Sequence, residues 1–569
     1  DLHNGRHSFP TRRSSDLPAS LIAVHSPRPR SLPPVALETL VARMGATVVG
    51  GSLAQGALVT GVSLDSRTVR PGDLYAALPG AHAHGATFAA NAVAAGATAV
   101  LTDSAGAAFL AQPTAGRREL GVPVLLVPEP RAVLGEVAAL VYGHPADALR
   151  MIGVTGTNGK TTTAYLVESA LRALGARTGL IGTVETRIGD ERVASQRTTP
   201  EAPDLHAILA VMRAAATDSV VMEVSSHALV QHRVDGVVYD VALFTNLSQD
   251  HLDYHSGMGD YFEAKAQLFT PARAHRGVVC IDDDWGLALA QRHGIPLVTL
   301  SSRRAADWTL TAREGSAMTL VGPAGERLLL HCHLPGTFNL VNTAMAAVAL
   351  LQLGYAAPDV ERAMALEPVV PGRMERVQGG PDDPRCVVDY AHTPEAVDAA
   401  LAALRPSTPG RLVVVLGAGG DRDTLKRAAM GAAGARWADD LIITDDNPRS
   451  EDPAAIREQV LAGARAAHPA DAAADAGADA GDDAGADAGA APPAGARSLF
   501  SSDAGRAAHI ARAVALARAQ GQAADNTVVV LGKGHETGQD IGGTVHPFDD
   551  RDALAAALHG QPYRPEGDR

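Results

Sequence analysis

The stretch "MIGVTGTNGKTTTAYLVESAL", Met151 to Leu171, joins an apolar run to a helical pattern through a glycine-rich turn that ends in Lys160 and Thr161. A junction of this kind suits phosphate: glycines let the backbone approach the ligand, and the free N–H groups of the new helix attract anionic oxygen. Lys160 would bridge the outer phosphates and Thr161 would hold Mg²⁺. The usual Gly-x-x-x-x-Gly-Lys spacing is broken, because Val154 stands where its first glycine belongs. ATP is the expected nucleotide, and the helix after the loop reads as amphipathic.

Outward from this stretch, strand-like and helix-like segments alternate through "SVVMEVSS", "VALFTNLS", "GVVCIDDD" and "IPLVTLS". Such alternation implies a mostly parallel sheet covered by helices, with the phosphate loop at a carboxyl end. The pattern repeats in "CVVDYAH", "RLVVVLGAGGD", "DLIITDDNPR" and "NTVVVLGKGHE", a second doubly wound, Rossmann-like unit. A smaller α/β region precedes both. The expected class is therefore α/β in three domains, at 33–148, 149–368 and 369–569. Residues 1–32 read as a disordered or artefactual lead, and the Gly/Ala/Asp repeat at 469–496 as a disordered acidic insertion.

The 569 residues exceed what one hydrophobic core usually supports, which agrees with several domains. Cys280, Cys332 and Cys386 show no Cys-x-x-Cys pairing, which argues against a disulfide or zinc framework and for the reducing cytoplasm. A net charge of −14 disfavours a nucleic-acid partner. No apolar run approaches the roughly 20 residues that cross a bilayer, so no membrane partner is expected.

The loop "TGTNGKTT" resembles that of the Mur ligase family, and "EVSSHAL", "TNLSQDHLDYH", "GTFNLVNTAMA", "PGRMERV", "VDYAHTPEAV" and "GAGGDRD" match the family in the same order. The resemblance covers the central and C-terminal regions. It implies an ATP-dependent ligase that activates a carboxylate as an acyl phosphate for attack by an amine. At the nucleotide it implies Gly156, Thr157, Asn158, Gly159, Lys160, Thr161, Thr162, Asn339, Asn342, Arg373, Asp389 and His392. Lys160, Glu223, His251 and Lys265 are implied to be catalytic, with two Mg²⁺ ions on Thr161, Glu223, His251 and a carbamylated Lys265. Elementary chemistry agrees. Two anions must meet, which calls for metal and basic groups in a water-poor cleft. Contributions from the third region would make domain closure part of assembling the site.

Within the family, the resemblance points to the branch acting on UDP-N-acetylmuramoyl-L-alanyl-D-glutamate. "SLDSRTVRPGDLYAALPGAHAHG" is similar to its uridine-binding region, with Leu64 and Ser66 near the nucleotide, although His84 stands where an acidic residue is expected. Thr198, Thr199, Ser225, Gln231 and Arg233 are implied at the muramoyl peptide. The tetrapeptide Asp446, Asn447, Pro448, Arg449 resembles the signature of relatives that add meso-2,6-diaminopimelate, with Arg422, Gly532 and Glu536 completing the pocket. A guanidinium offers the distal carboxylate a paired partner and meets lysine's ammonium as a like charge. A monomer is expected. The alternatives are a lysine-adding ligase, a folate polyglutamate ligase, and a P-loop kinase or nucleotide switch.

Overall fold

In the computed structural model the strand Arg150–Thr155 lies between Ser219–Glu223 and Val241–Phe244, parallel to both, inside an 11-stranded sheet. The structure describes residues 27–565 except 31, 81–82, 113–119, 252–253, 293, 313–315, 422, 468–497 and 520. Arg422, the acidic insertion and most of the lead fall outside the described residues.

The central sheet continues through Gly277–Cys280 and Leu297–Ser301, as the apolar runs imply, and then adds elements those runs do not signal. An antiparallel set of Thr178–Ile181, Glu185–Ile188 and Glu191–Ala194 extends one edge. Trp308–Ala312, Ala317–Val321 and Arg327–His331 extend the other. Apolar clusters fill both faces of the sheet, which is why its inner strands are continuous Val, Ile and Leu runs with no alternation.

The helix Lys160–Ala173 corrects the amphipathic expectation. It is wedged against the sheet and the helix Thr337–Gln352, so most of its circumference is buried, Glu168 included. That carboxylate is tolerated because Arg172, Arg187 and Thr178 all donate to it. Arg187 also pairs with Glu185, which accepts from Tyr165, so a buried polar network welds the edge hairpin to the helix.

The N-terminal region forms a five-stranded sheet in which Gly61–Ser63, Asp73–Ala77, Ala99–Thr102 and Val124–Leu126 run parallel. The C-terminal sheet has six strands, with Thr527–Leu531 between Arg385–Asp389 and Leu412–Ala418, followed by Asp440–Asp445 and Ser498–Ser501. The loops after Leu412–Ala418, Asp440–Asp445 and Thr527–Leu531 therefore rise from neighbouring carboxyl ends, where open α/β sheets bind ligands.

Candidate active site

The phosphate loop is held from beneath. Asn158 N–H donates to Asn246 Oδ1 at 2.9 Å, and the Asn158 carbonyl accepts from Thr245 at 2.6 Å and from Asn246 at 3.0 Å. Gly156 and Gly159 adopt φ of 145° and 86°, a region that disfavours side chains. A Cβ at Gly159 would also stand 2.5 Å from Asn342 Oδ1. Lys160 Nζ folds back to the carbonyls of Gly156 and Thr157, at 3.0 and 2.8 Å. Burial lowers its pKa, while the charges of Glu223 and Asp250 oppose that shift.

Thr161 opens the helix and donates to Glu223 Oε2 at 2.9 Å, while Thr162 is buried beside it. Glu223 ends its strand with no exposed surface. Its other donors are Thr183 N–H at 2.7 Å and the Thr183 hydroxyl at 3.1 Å. A buried carboxylate held only by neutral donors suits a cation, so Thr161 and Glu223 fit a Mg²⁺ ligand pair. Among the described residues no three His, Cys, Asp or Glu side chains converge as a metal site.

Lys265 is fully buried, donates to the Gly156 carbonyl at 2.8 Å, and lies 4.5 Å from the centroid of the Tyr261 ring. Burial, with the nearby Lys160 charge, lowers its pKa well below the ordinary value and so favours the neutral amine that carbamylation requires. Glu263, two residues earlier on the same helix, pairs instead with Arg292. His251, at φ 56°, packs edge-on to His227 and also meets the Tyr261 ring edge-on, with centroids 6.0 Å apart. The neighbouring Asp250 was not singled out from sequence. Burial pushes its pKa up, but His251, His392, Lys426 and Lys160 outweigh that and hold it below the usual value.

The C-terminal region reaches into this site. Arg373 Nη2 donates to Thr161 Oγ1 at 3.2 Å and its guanidinium lies 4.2 Å from the Tyr390 ring centroid. Asp389 holds that turn through the N–H groups of Met374 and Ala391, at 2.7 and 2.8 Å, and burial raises its pKa. His392 sits beside Tyr390, where burial and then Lys426 lower its pKa. Asn342 donates to Asn339 Oδ1 at 3.1 Å, so the two amides do meet one turn apart.

At the implied muramoyl side, Thr198 bonds the Thr183 hydroxyl at 3.0 Å, which places it one residue removed from Glu223. Thr199 donates to the Glu223 carbonyl and accepts from Ser225 N–H, so its hydroxyl is engaged in backbone support. Ser225 caps the helix Ser226–Val230. Arg233 donates to Gln231 at 2.6 Å and pairs with Glu201, yet its buried Nε has no hydrogen-bond partner among the described residues. Leu64 and Ser66 lie half-buried in a turn after Gly61–Ser63. His84 accepts from Ala86 N–H through Nδ1, which leaves Nε2–H to donate to Asp103 at 3.0 Å. The departure from the family is thus absorbed as a cap and a hydrogen-bonded pair.

At the implied amino-acid side, Asn447 donates to Glu536 Oε2 at 2.7 Å and accepts from Asp540 N–H at 3.0 Å. Asp446 is buried beside Gly532, where φ is 116° and a Cβ would run into its carboxylate. Arg449, at φ 52°, donates to the Gly420 carbonyl, and the Pro448 carbonyl packs close to Gly420. Sequence reading missed two groups here. Lys533, fully buried, bonds both Asn447 and Glu536 at 3.1 Å. Arg506 lies beneath the pocket. A lysine inside a glycine turn and an arginine on a distant helix give no periodic signal of such roles.

Comparison with known proteins follows the same lines. Residues 154–350 match the Mur ligase middle domain, 372–488 the Mur ligase glutamate ligase domain, and 58–142 the Mur ligase family catalytic domain. The chain is 50% identical over 538 residues to the UDP-N-acetylmuramoyl-L-alanyl-D-glutamate--2,6-diaminopimelate ligase of Streptomyces coelicolor, covering 94% of this chain and 98% of that one. A solved structure of a ligase with the same name is 29% identical, with TM-score 0.60 over 93% of this chain and 100% of its own. The MurF ligase from Thermotoga maritima in complex with ADP is similar in fold, at 18% identity and TM-score 0.55, over 83% of this chain and 94% of that one.

Proposed function

The chain belongs to the Mur ligase family, and on that premise we propose that it adds meso-2,6-diaminopimelate to UDP-N-acetylmuramoyl-L-alanyl-D-glutamate, using ATP. The terminal carboxylate of the dipeptide attacks the γ-phosphorus, ADP leaves, and an acyl phosphate results. A neutral amine of diaminopimelate then attacks the acyl carbon, forming the amide, expelling phosphate and releasing a proton.

The residues divide this work. Backbone N–H groups of 156–162 and the ammonium of Lys160 hold the phosphates. Thr161 and Glu223 would hold one Mg²⁺, and His251 with carbamylated Lys265 a second. Bound there, the ions would offset the repulsion between carboxylate and triphosphate. Arg373, Asp389, His392, Asn339 and Asn342 line the nucleotide. Leu64, Ser66, Thr198, Thr199, Ser225, Gln231 and Arg233 take the UDP-muramoyl peptide, where the unpartnered buried Nε of Arg233 supports an anion site. Arg449, with Asp446, Asn447, Pro448, Arg422, Gly532 and Glu536, reads the distal end of the amino acid.

The observation that carries the reading is the position of Thr161, which donates to Glu223 of the central sheet and accepts from Arg373 of the C-terminal region. A nucleotide switch needs no such convergence of two α/β units on one hydroxyl. The test is phosphate release measured with each substrate omitted in turn, and with lysine replacing diaminopimelate. Release must require the dipeptide and diaminopimelate together; release without them would favour the switch.

The same reading takes 33–148 as the UDP-binding domain, 149–368 as the ATP-binding domain and 369–569 as the amino-acid domain. It takes the chain as a monomer and places it in the cytoplasm, the second part supported by three buried cysteines outside any disulfide.

A further inference from the structure

Lys533 is an expensive residue to bury, and the ATP site does not use it. Its side chain has no exposed surface, and its three N–H bonds meet three acceptors: Asn447 Oδ1 at 3.1 Å, Glu536 Oε2 at 3.1 Å and the Gly538 carbonyl at 2.5 Å. An ammonium has three donors, so this set is complete. Both side-chain acceptors belong to the amino-acid pocket.

Two consequences follow from the donor pattern. Asn447 must present its oxygen to Lys533 and to Asp540 N–H, so its NH₂ is directed at Glu536. Glu536 then receives both Asn447 and Lys533 on Oε2, while Oε1 makes no hydrogen bond among the described residues and the side chain is 32% exposed. One carboxylate oxygen is locked and the other is left for a ligand. The ammonium also offsets the charge of Glu536, so its removal makes the pocket more negative by one charge whatever the remaining balance.

We propose that Lys533 is a positioning and specificity-determining residue: it aims Glu536 and Asn447 and offsets the carboxylate charge, so that the pocket favours a zwitterionic distal end over a purely cationic one. This rests on the proposed amino-acid reading. Lysine, whose distal end carries only an ammonium, should gain relative to diaminopimelate when that charge is removed.

The experiment uses the full chain with Lys533→Met, and Lys533→Gln as a second variant that keeps a donor for Gly538 should the first fail to fold. The KM for diaminopimelate should rise roughly ten- to hundred-fold, as expected when a buried acceptor loses its donor. KM for ATP and for the muramoyl dipeptide should stay within about two-fold, and the preference for diaminopimelate over lysine should fall. In a Glu536→Gln background, Lys533→Met should add little, because both changes remove one coupled element. Equal changes in all three KM values, unchanged KM for diaminopimelate, or additive effects in the double variant would overturn the proposal. Wild-type protein that ignores diaminopimelate would instead overturn the parent reading, so the two failures are distinguishable.

Discussion

Arg506 and Asp550 form a doubly bonded ion pair, 2.7 Å at each contact, with neither side chain exposed. Arg506 Nη1 and Nη2 also donate to the carbonyls of Asp445 and Leu531, at 3.1 and 2.9 Å. Those carbonyls end the two strands that lead into the Asp446–Arg449 turn and the Gly532–Glu536 turn. One guanidinium therefore ties together the bases of both pocket loops. Removing its counter-ion leaves a buried positive charge uncompensated. Asp550→Ala is expected to destabilise the C-terminal region by about 3–5 kcal/mol, measured by urea denaturation. Arg506→Met with Asp550→Leu should recover much of that loss; a double variant as weak as Asp550→Ala would contradict the assignment.

Gly182 controls Glu223 from outside any nucleotide motif. It packs so close to Glu223 that a Cβ there would overlap Oε1. The following residue, Thr183, holds the same carboxylate with two hydrogen bonds. Gly182→Ala should displace the carboxylate by a fraction of an ångström to an ångström and lower kcat about 10- to 100-fold. Nucleotide affinity, read by ADP titration, should change far less, since the loop at 156–159 is untouched. Equal losses in both would show that the glycine supports the fold as a whole.

These two relationships mark where sequence was and was not sufficient. The strand, the loop and the Lys-Thr pair of residues 151–161 were legible because the spacing of glycines and the start of a helix are local properties. The two doubly wound units were legible from runs of Val, Ile and Leu. The hairpin around Glu185–Ile188 was not. Its segment "TVETRIGDERVA" is polar, and it becomes strand only because Arg187 and Glu185 join the buried Glu168 network. The strands from Trp308 to His331 lie in an antiparallel edge extension that no motif signals. Lys533 and Arg506 escaped for a related reason: burial of a charged residue depends on partners distant in sequence, and composition favours the exposed reading.

His206 supplies a titration that can be separated from the chemistry. It is buried in the helix Ala202–Ala214, with Nε2 against the Asp235 carbonyl at 2.9 Å and Nδ1 without a hydrogen-bond partner among the described residues. Burial lowers its pKa to about 4 from an ordinary value of 6.5. Between those values the unfolded chain takes up a proton that the folded chain refuses, so stability falls as pH drops from 6.5 toward 4. The full loss is on the order of 3 kcal/mol. Above 6.5 the residue contributes no pH dependence. His206→Gln should flatten this part of the stability profile, followed by thermal melting across the window; an unchanged slope would assign it to other groups.

Arg449 is the sharpest test of amino-acid choice. Its backbone sits at φ 52°, pinned by its N–H to the Asp540 carbonyl at 3.0 Å and by its own carbonyl to Gly542 N–H at 2.7 Å. A non-glycine residue in that region is strained, and the two backbone bonds hold it there. The guanidinium, anchored through Nη1 to Gly420, is then presented from a fixed base. Arg449→Lys keeps the charge but loses the planar fork, so kcat/KM for diaminopimelate should fall on the order of 10- to 100-fold. Arg449→Ala removes both and should fall further, with the preference over lysine largely abolished. The measurement is a competition between the two amino acids at fixed ATP and dipeptide, with products separated by mass. Selectivity that survives Arg449→Ala would remove the guanidinium as the reader of the distal carboxylate.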